Sequence, residues 1–277
     1  MQSSDICFSS TELVENTWLI KGTGASSYLL TGERCGIMID SGMSLADIHQ
    51  YVSTLTNVPV DIVLNTHGHF DHTGGNGYFH TAFMGDLASE IAKQPNGNSS
   101  PAENAYPMNY SILTIKDGFS IDLGGRIVEG IWIGGHSPDS FVYLDHKEHI
   151  LFGGDSVQTH IPLKYKCIDP QPGLMRYAMS LSRLMARRDE IQYICGGHND
   201  SLLDGSLLNH LLICALLGID GQRDQQPPMP PGHDPSKGPF KLHDPANSGY
   251  TVYKDAAISY DKRYVDSYKE ADFIAGT

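Results

Sequence analysis

A chain of 277 residues with 40% hydrophobic and 18% charged residues carries enough apolar material for one large core, or one core with a small appendage, and not for two domains of equal size. Its 19 Lys and Arg against 32 Asp and Glu give a formal charge of −13 with no basic cluster, which argues against nucleic acid or another polyanion as partner. The five cysteines, Cys7, Cys35, Cys167, Cys195 and Cys214, form no C-x-x-C pair, and scattered thiols of this kind fit a reduced, cytoplasmic protein better than a disulfide framework.

The segment Met1-Gln2-Ser3-Ser4-Asp5-Ile6 has neither a basic leader nor a long apolar run, so no secretory signal is expected there. Thr17 to Lys21, Ser27 to Thr31 and Cys35 to Asp40 are short runs separated by Gly-containing turns and read as a strand meander. Asp40-Ser41-Gly42 then introduces a helix over Leu45 to Leu55, where Leu45, Ile48, Val52 and Leu55 recur at helical spacing. The branched apolar run Val60 to Asn65 reads as a buried strand, and it delivers the most informative segment of the chain. Thr66-His67-Gly68-His69-Phe70-Asp71-His72-Thr73-Gly74-Gly75 packs three histidines and an aspartate into six positions. Imidazole and carboxylate without thiolate suit zinc, or less specifically manganese or iron. Four donors so close together diverge on an irregular loop and cannot all reach one small ion. Two adjacent ions, with further ligands from elsewhere, are the economical solution.

Downstream, Ala82 to Met84 reads as a strand and Asp86 to Lys93 as a helix. Gln94 to Tyr110 has loop chemistry, with aromatic residues including Tyr106 that suit a substrate-facing loop. Strands are expected at Phe119 to Leu123, Arg126 to Ile133, Phe141 to Asp145 and His149 to Phe152. Three turns repeat one grammar, an apolar run followed by Gly-Gly and a donor: Gly134-Gly135-His136, Gly153-Gly154-Asp155 and Gly196-Gly197-His198. Glycines let the backbone pass close to a crowded centre. Gln158 to Pro172 reads as a loop beside that centre, its His160, Lys164 and Tyr165 suited to gripping a carbonyl or carboxylate. Leu174 to Arg187 reads as an amphipathic helix, and Leu207 to Leu217 as a helix that closes the core. The apolar segment Leu207 to Ile219 is too short to span a bilayer, and no membrane partner is expected. Beyond the Pro-rich run Gln225 to Pro231, Tyr250 to Tyr253 and Ala257 to Tyr260 have strand character with Lys254-Asp255 as the turn. Such a hairpin packs over the site or pairs with another subunit of a homo-oligomer.

With these motifs in this order, the chain resembles the metallo-β-lactamase-fold hydrolases over about residues 14 to 200. The resemblance implies an α/β fold, a four-layer αββα sandwich, with residues 1–221 as catalytic core and residues 222–277 as a carboxyl-terminal extension. It implies two Zn2+ ions, with Mn2+ or Fe2+ as substitutes. His67, His69 and His136 would hold the first ion, Asp71, His72 and His198 the second, and Asp155 would bridge them. Asp155 separates the chain from true β-lactamases, which usually have Cys or Ser at that turn, and His69 separates it from flavodiiron proteins. Glyoxalase II, lactonases, thioesterases, phosphodiesterases and transfer-RNA-processing nucleases share the seven-ligand scheme, as does persulfide dioxygenase with a single iron. The helical, basic carboxyl domain of glyoxalase II has no counterpart here.

Coordination lowers the pKa of water from about 15.7 toward about 7, so a metal-bridging hydroxide is available at neutral pH. Asp71 can orient that nucleophile and receive its proton, while an exposed metal face polarises the substrate carbonyl. The expectation is a dinuclear zinc hydrolase that opens a small-molecule ester, thioester or lactone. Phosphodiester hydrolysis is the competing enzymatic reading. A metal-binding regulatory or scaffold protein with little turnover is the reading from another class, disfavoured because closed structural sites rarely need two ions with an open face.

Overall fold

Side chains alternate across every strand, and here both faces of the central strands are apolar, as sheets covered on both sides require. The computed structural model describes residues 8–22, 24–43, 46–93, 110–137, 139–163, 173–222 and 247–265. The first sheet contains β1 (Ser9–Val14), β2 (Thr17–Lys21), β3 (Ser27–Thr31), β4 (Gly36–Ile39), β5 (Ile62–Leu64), β6 (Thr81–Met84) and β7 (Ser111–Thr114), side by side in that order. Its first four strands are an antiparallel meander and the rest run parallel. The second sheet is built from β8 (Phe119–Asp122), β9 (Ile127–Ile133), β10 (Ser140–Asp145), β11 (Ile150–Gly154), β13 (Tyr193–Gly196) and β14 (Leu203–Asp204), with β11 and β13 parallel.

Four layers follow directly from the alternation. Ile37, Ile39 and Leu64 of the first sheet meet Trp132, Phe141, Tyr143 and Phe152 of the second between the sheets. Their neighbours Met38 and Val63 point outward onto α1 (Ile48–Val52) and α3 (Asp86–Ala92), against Ile48, Val52 and Ala88. On the other side, Ile131, Ile133, Val142 and Leu151 pack on α4 (Leu174–Met185) and α5 (Leu207–Ile219). The order is therefore α, β, β, α, as expected from the sequence.

A third sheet lies outside this frame. The hairpin of β15 (Ser248–Tyr253) and β16 (Ala256–Asp261) adds β12 (His160–Pro162) alongside β16 in parallel. Ala256, Ile258 and Tyr260 are buried in the same core as α4 and α5, so the hairpin packs on its own chain. The strand β12 corrects the reading of Gln158 to Pro172 as loop throughout; its three residues gain their order from β16, a partner far away in sequence. For the same reason β1, β7 and β14 went unread, since each is short and half-exposed and is defined by its neighbour rather than by its own pattern. The first helix begins later than expected, at Ile48, after Asp47, whose side chain accepts from Gln50 N at 2.9 Å as its cap. Asp40, expected to lead into that helix, is instead buried beside the histidine-rich turn. Among the described residues no helix is long and apolar enough to cross a membrane.

Candidate metal centre

Strands β4, β5, β9, β11 and β13 all finish at one edge of the sandwich, where the two sheets meet. Thr66 lies at the end of β5 and its carbonyl accepts from Phe141 N of the opposite sheet at 2.7 Å. Past it the chain turns at Gly68 into the one-turn helix α2 (Phe70–Thr73), which carries Asp71 and His72. The turns after β9, β11 and β13 bring His136, Asp155 and His198 to the same place. All seven donors proposed from the sequence are gathered there.

They fall into two sets. His67 Nε2 lies 2.6 Å from His69 Nδ1, which lies 3.1 Å from His136 Nε2. These three rings form one group of potential metal ligands, and Asp71, His72 and His198 form another. Asp155 stands between them. Its Oδ1 is 3.5 Å from His72 Nε2 and 3.3 Å from His198 Nε2, whereas its Oδ2 is 3.4 Å from His136 Nε2. The first set is deeply buried; the second opens to solvent through Asp71 and His198, whose side chains are 35% and 43% exposed.

The outward nitrogens of these rings fix their tautomers. Thr66 Oγ1 donates to Asp40 Oδ2 at 2.7 Å and therefore accepts from His67 Nδ1 at 3.0 Å. His72 Nδ1 donates to Asp40 Oδ2 at 2.7 Å, and His136 Nδ1 donates to the Pro162 carbonyl at 2.8 Å. In the neutral ring each donation leaves the inward Nε2 with the lone pair, the form in which imidazole binds a metal. His72 Nε2 is buried with no hydrogen bond of good geometry among the described residues, the condition expected of an atom reserved for a cation. The cradle is also too tight for side chains, because a Cβ on Gly197 would lie 2.2 Å from Asp155 Oδ1. The residues present fit divalent metal.

Electrostatics separates the two sets. Burial pushes the His67 and His69 imidazoles well below the usual histidine range, and neighbouring histidines push the same way. His136 is lowered by burial as well, against the pull of Asp155. For His72 burial also acts to lower the pKa, but Asp40, Asp71 and Asp155 outweigh it and hold the ring well above its ordinary value. His198 is raised chiefly by its hydrogen bond with Asp155. Asp155 itself would be raised by burial, yet His72 and His136 keep it well below the usual carboxylate range.

The supporting residues were not read from the sequence. Asp40 follows its strand as an accepting carboxylate, without the Gly-Gly that marked the ligand turns; its φ of 55° is the local sign of a special position. Gln158 is buried, accepts from His198 N at 3.0 Å through Oε1, and donates to Asp155 Oδ1 at 3.4 Å through Nε2. A glutamine in a polar stretch gives no such signal in advance. Of the expected substrate contacts, His160 is exposed and its Nε2 engages Ser259 Oγ at 2.8 Å. Tyr106, Lys164 and Tyr165 lie outside the described residues.

Similarity to known proteins agrees with this geometry. The lactamase-like protein nscB of Arthroderma gypseum is 34% identical over 140 residues, 50% of this chain and 41% of that protein. Atrochrysone carboxyl ACP thioesterase of Aspergillus fumigatus is 29% identical over 140 residues, again 50% and 41%. Acyl-coenzyme A thioesterase MBLAC2 of Gallus gallus is 24% identical over 213 residues, 67% of this chain and 76% of that protein. The chain thus spans less than half the length of the fungal relatives it matches. In fold it is similar to a metallo-beta-lactamase from Pontibacter korlensis, with a TM-score of 0.57 and 21% identity over 76% of this chain and 99% of that one. It is likewise similar to the FIM-1 enzyme of Pseudomonas aeruginosa in its mono-zinc form, with a TM-score of 0.58 and 16% identity over 77% and 97%. The sequence model of the Metallo-beta-lactamase superfamily matches residues 20–198, from β2 through the last of the seven donors. By its sequence, its layers and the turns that end its strands, the chain belongs to the metallo-beta-lactamase superfamily.

Proposed function

We propose that this protein is a dinuclear zinc hydrolase acting on a small carbonyl substrate, an ester, thioester or lactone, with a thioester favoured. The observation that carries the reading is Asp155, which turns one oxygen toward His136 and the other toward His72 and His198. A carboxylate so divided suits two cations, one held by His67, His69 and His136 and the other by Asp71, His72 and His198. When bound, the cations would supply Lewis acidity, acidifying water and polarising a carbonyl oxygen. The thioester preference rests on the Aspergillus and Gallus relatives, both named as thioesterases.

The chain's own residues divide the remaining work. Asp40 and Thr66 hold His67 and His72 in the tautomer with Nε2 turned inward. Gln158 keeps the bridging carboxylate and the His198 turn together. Asp71 is the partly exposed carboxylate at the open face, and there it orients the attacking water and takes its proton. Burial of the first set excludes solvent from behind the reacting carbonyl, so substrate enters on the side of Asp71 and His198.

The test is elemental analysis of purified protein coupled to a panel of acyl-coenzyme A and acyl-pantetheine thioesters, nitrophenyl esters, lactones and bis-nitrophenyl phosphate. Two zinc ions per chain and turnover of a carbonyl substrate, abolished by chelation, are expected. Turnover of the phosphodiester alone would replace the substrate class. Bound metal without turnover of any of them would favour a regulatory or scaffold role.

A further inference from the structure

One peptide group in this protein faces both the metal centre and the carboxyl-terminal hairpin. The carbonyl of Pro162 accepts from His136 Nδ1 at 2.8 Å, and the N–H of the next residue, Leu163, donates to Ser259 O on β16 at 2.7 Å. The two groups belong to the same planar unit and reach opposite neighbours, so that unit cannot rotate toward one without leaving the other. Further bonds hold the register. Ala257 N donates to Thr159 O at 2.8 Å, His160 pairs with Ala257, Ile161 with Ile258 and Pro162 with Ser259, and the side chains of His160 and Ser259 meet at 2.8 Å. A slip of one residue would turn the Pro162 carbonyl away from the imidazole.

The hairpin is itself anchored away from the metals. Ile258 and Tyr260 are buried against α4 and α5, and Asp255 at its tip pairs with His210 Nδ1 of α5 at 2.5 Å. It lies wholly beyond residue 198, where the match to the superfamily ends. A short strand of three residues, β12, has no other sheet partner among the described residues.

We propose that the carboxyl-terminal hairpin is a positioning element of the first donor set, fixing the orientation and tautomer of His136 through the Pro162–Leu163 peptide, so that docking of the hairpin and cation binding by His67, His69 and His136 are coupled. This rests on the metal-binding reading above. The coupling is reciprocal, since whatever the hairpin contributes to cation affinity the cation returns to the hairpin. The supports of the second set, Asp40 on His72 and Gln158 on His198, do not pass through the Pro162–Leu163 peptide, although Gln158 adjoins Thr159, whose carbonyl accepts from Ala257 N.

The test uses Ala257→Pro in the full chain. The N–H of Ala257 points at β12, so proline removes a donor from that ladder alone; Ala257→Val keeps the donor and is the conservative control. Zinc affinity is measured by chelator competition in His198→Ala and His69→Ala backgrounds, which keep the first and second set respectively, and the His136 Nδ1–H proton is followed by NMR. We expect Ala257→Pro to weaken the first set at least about tenfold, the scale of a lost ligand support, to leave the second unchanged, and to broaden or shift the His136 signal, while Ala257→Val behaves as the parent. If Ala257→Pro fails to fold, the double variant His160→Ala/Ser259→Ala, which removes only the side-chain bond across the ladder, is expected to weaken the first set by about threefold with the same selectivity. Equal affinities in parent and variants, or equal loss at both sets, would overturn the inference while leaving the metal reading intact. Absence of zinc binding by the parent protein would overturn both.

Discussion

Asp40→Asn isolates the support of the metal centre from the ligands themselves. The Asp40 side chain accepts four hydrogen bonds: Thr66 N at 2.8 Å and Asn65 Nδ2 at 3.5 Å on Oδ1, Thr66 Oγ1 and His72 Nδ1 at 2.7 Å each on Oδ2. An asparagine has one acceptor oxygen and one donor amide. If its NH2 takes the place of Oδ2, it meets the N–H of His72 and the Thr66 hydroxyl; if it takes the place of Oδ1, it meets the Thr66 backbone N–H. Either orientation sets a donor against a donor. In the first orientation relief comes from moving the His72 proton to Nε2, the atom that faces Asp71 and Asp155, which removes its lone pair; in the second the Thr66 backbone is pushed from Asp40 and the turn that carries His67 shifts with it. The backbone gives no competing explanation, because Asn tolerates the positive φ that Asp40 adopts. Loss of such a ligand support typically costs about 10–100-fold in metal affinity, or about 1.4–2.7 kcal/mol. Zinc titration against a chelator, with circular dichroism to establish folding, reads the effect. Unchanged affinity at both sets in a folded Asp40→Asn protein would refute the tautomer argument.

Asp155→Ala is expected to abolish dinuclear occupancy and turnover while the far-UV spectrum stays native; two tightly held ions in that variant would remove the bridging role. Gly197→Ala should reduce metal content at Asp155 and His72, since the added Cβ would lie 2.2 Å from Asp155 Oδ1 and 3.0 Å from His72 Cε1; wild-type content measured by elemental analysis would contradict the tight cradle. On acidification, the ion on Asp71, His72 and His198 should leave before the ion on His67, His69 and His136. Ligands bind deprotonated: His72 and His198 sit above the usual histidine range and take protons first, whereas His67 and His69 sit below it and resist them. Equilibrium dialysis at decreasing pH, followed by metal analysis, measures the order, and simultaneous release or the reverse order would count against it. Arg126→Met should destabilise the fold by about 3–5 kcal/mol, because Arg126 and Asp145 are both buried and the carboxylate would be left unpaired; a denaturant midpoint near wild type would contradict this.

That these seven side chains come together was legible because the signal was chemical and local: a dense histidine turn and three Gly-Gly turns each followed by His or Asp. The four layers were legible because both faces of β4, β5, β10 and β11 are apolar. What escaped was whatever depends on a distant neighbour. β12 exists as a strand because β16 lies beside it, and Asp40 matters because the chain brings it under His72, 32 residues later. Gln158 looks like any polar loop residue until His198 N is found on its carbonyl. His160 was expected near substrate, and the contact of its side chain with Ser259 could be seen only once the hairpin was in place.

The donors come from both sheets, and this makes the centre a clasp. A newly made chain presents His67, His69, Asp71 and His72 together, early and on one stretch, but the remaining three arrive only when the second half has wrapped against the first. A cation would be fully held only with both sheets in register. If the centre holds metal as proposed, substitutions that slide one sheet on the other are expected to lower metal content before they shift a melting curve.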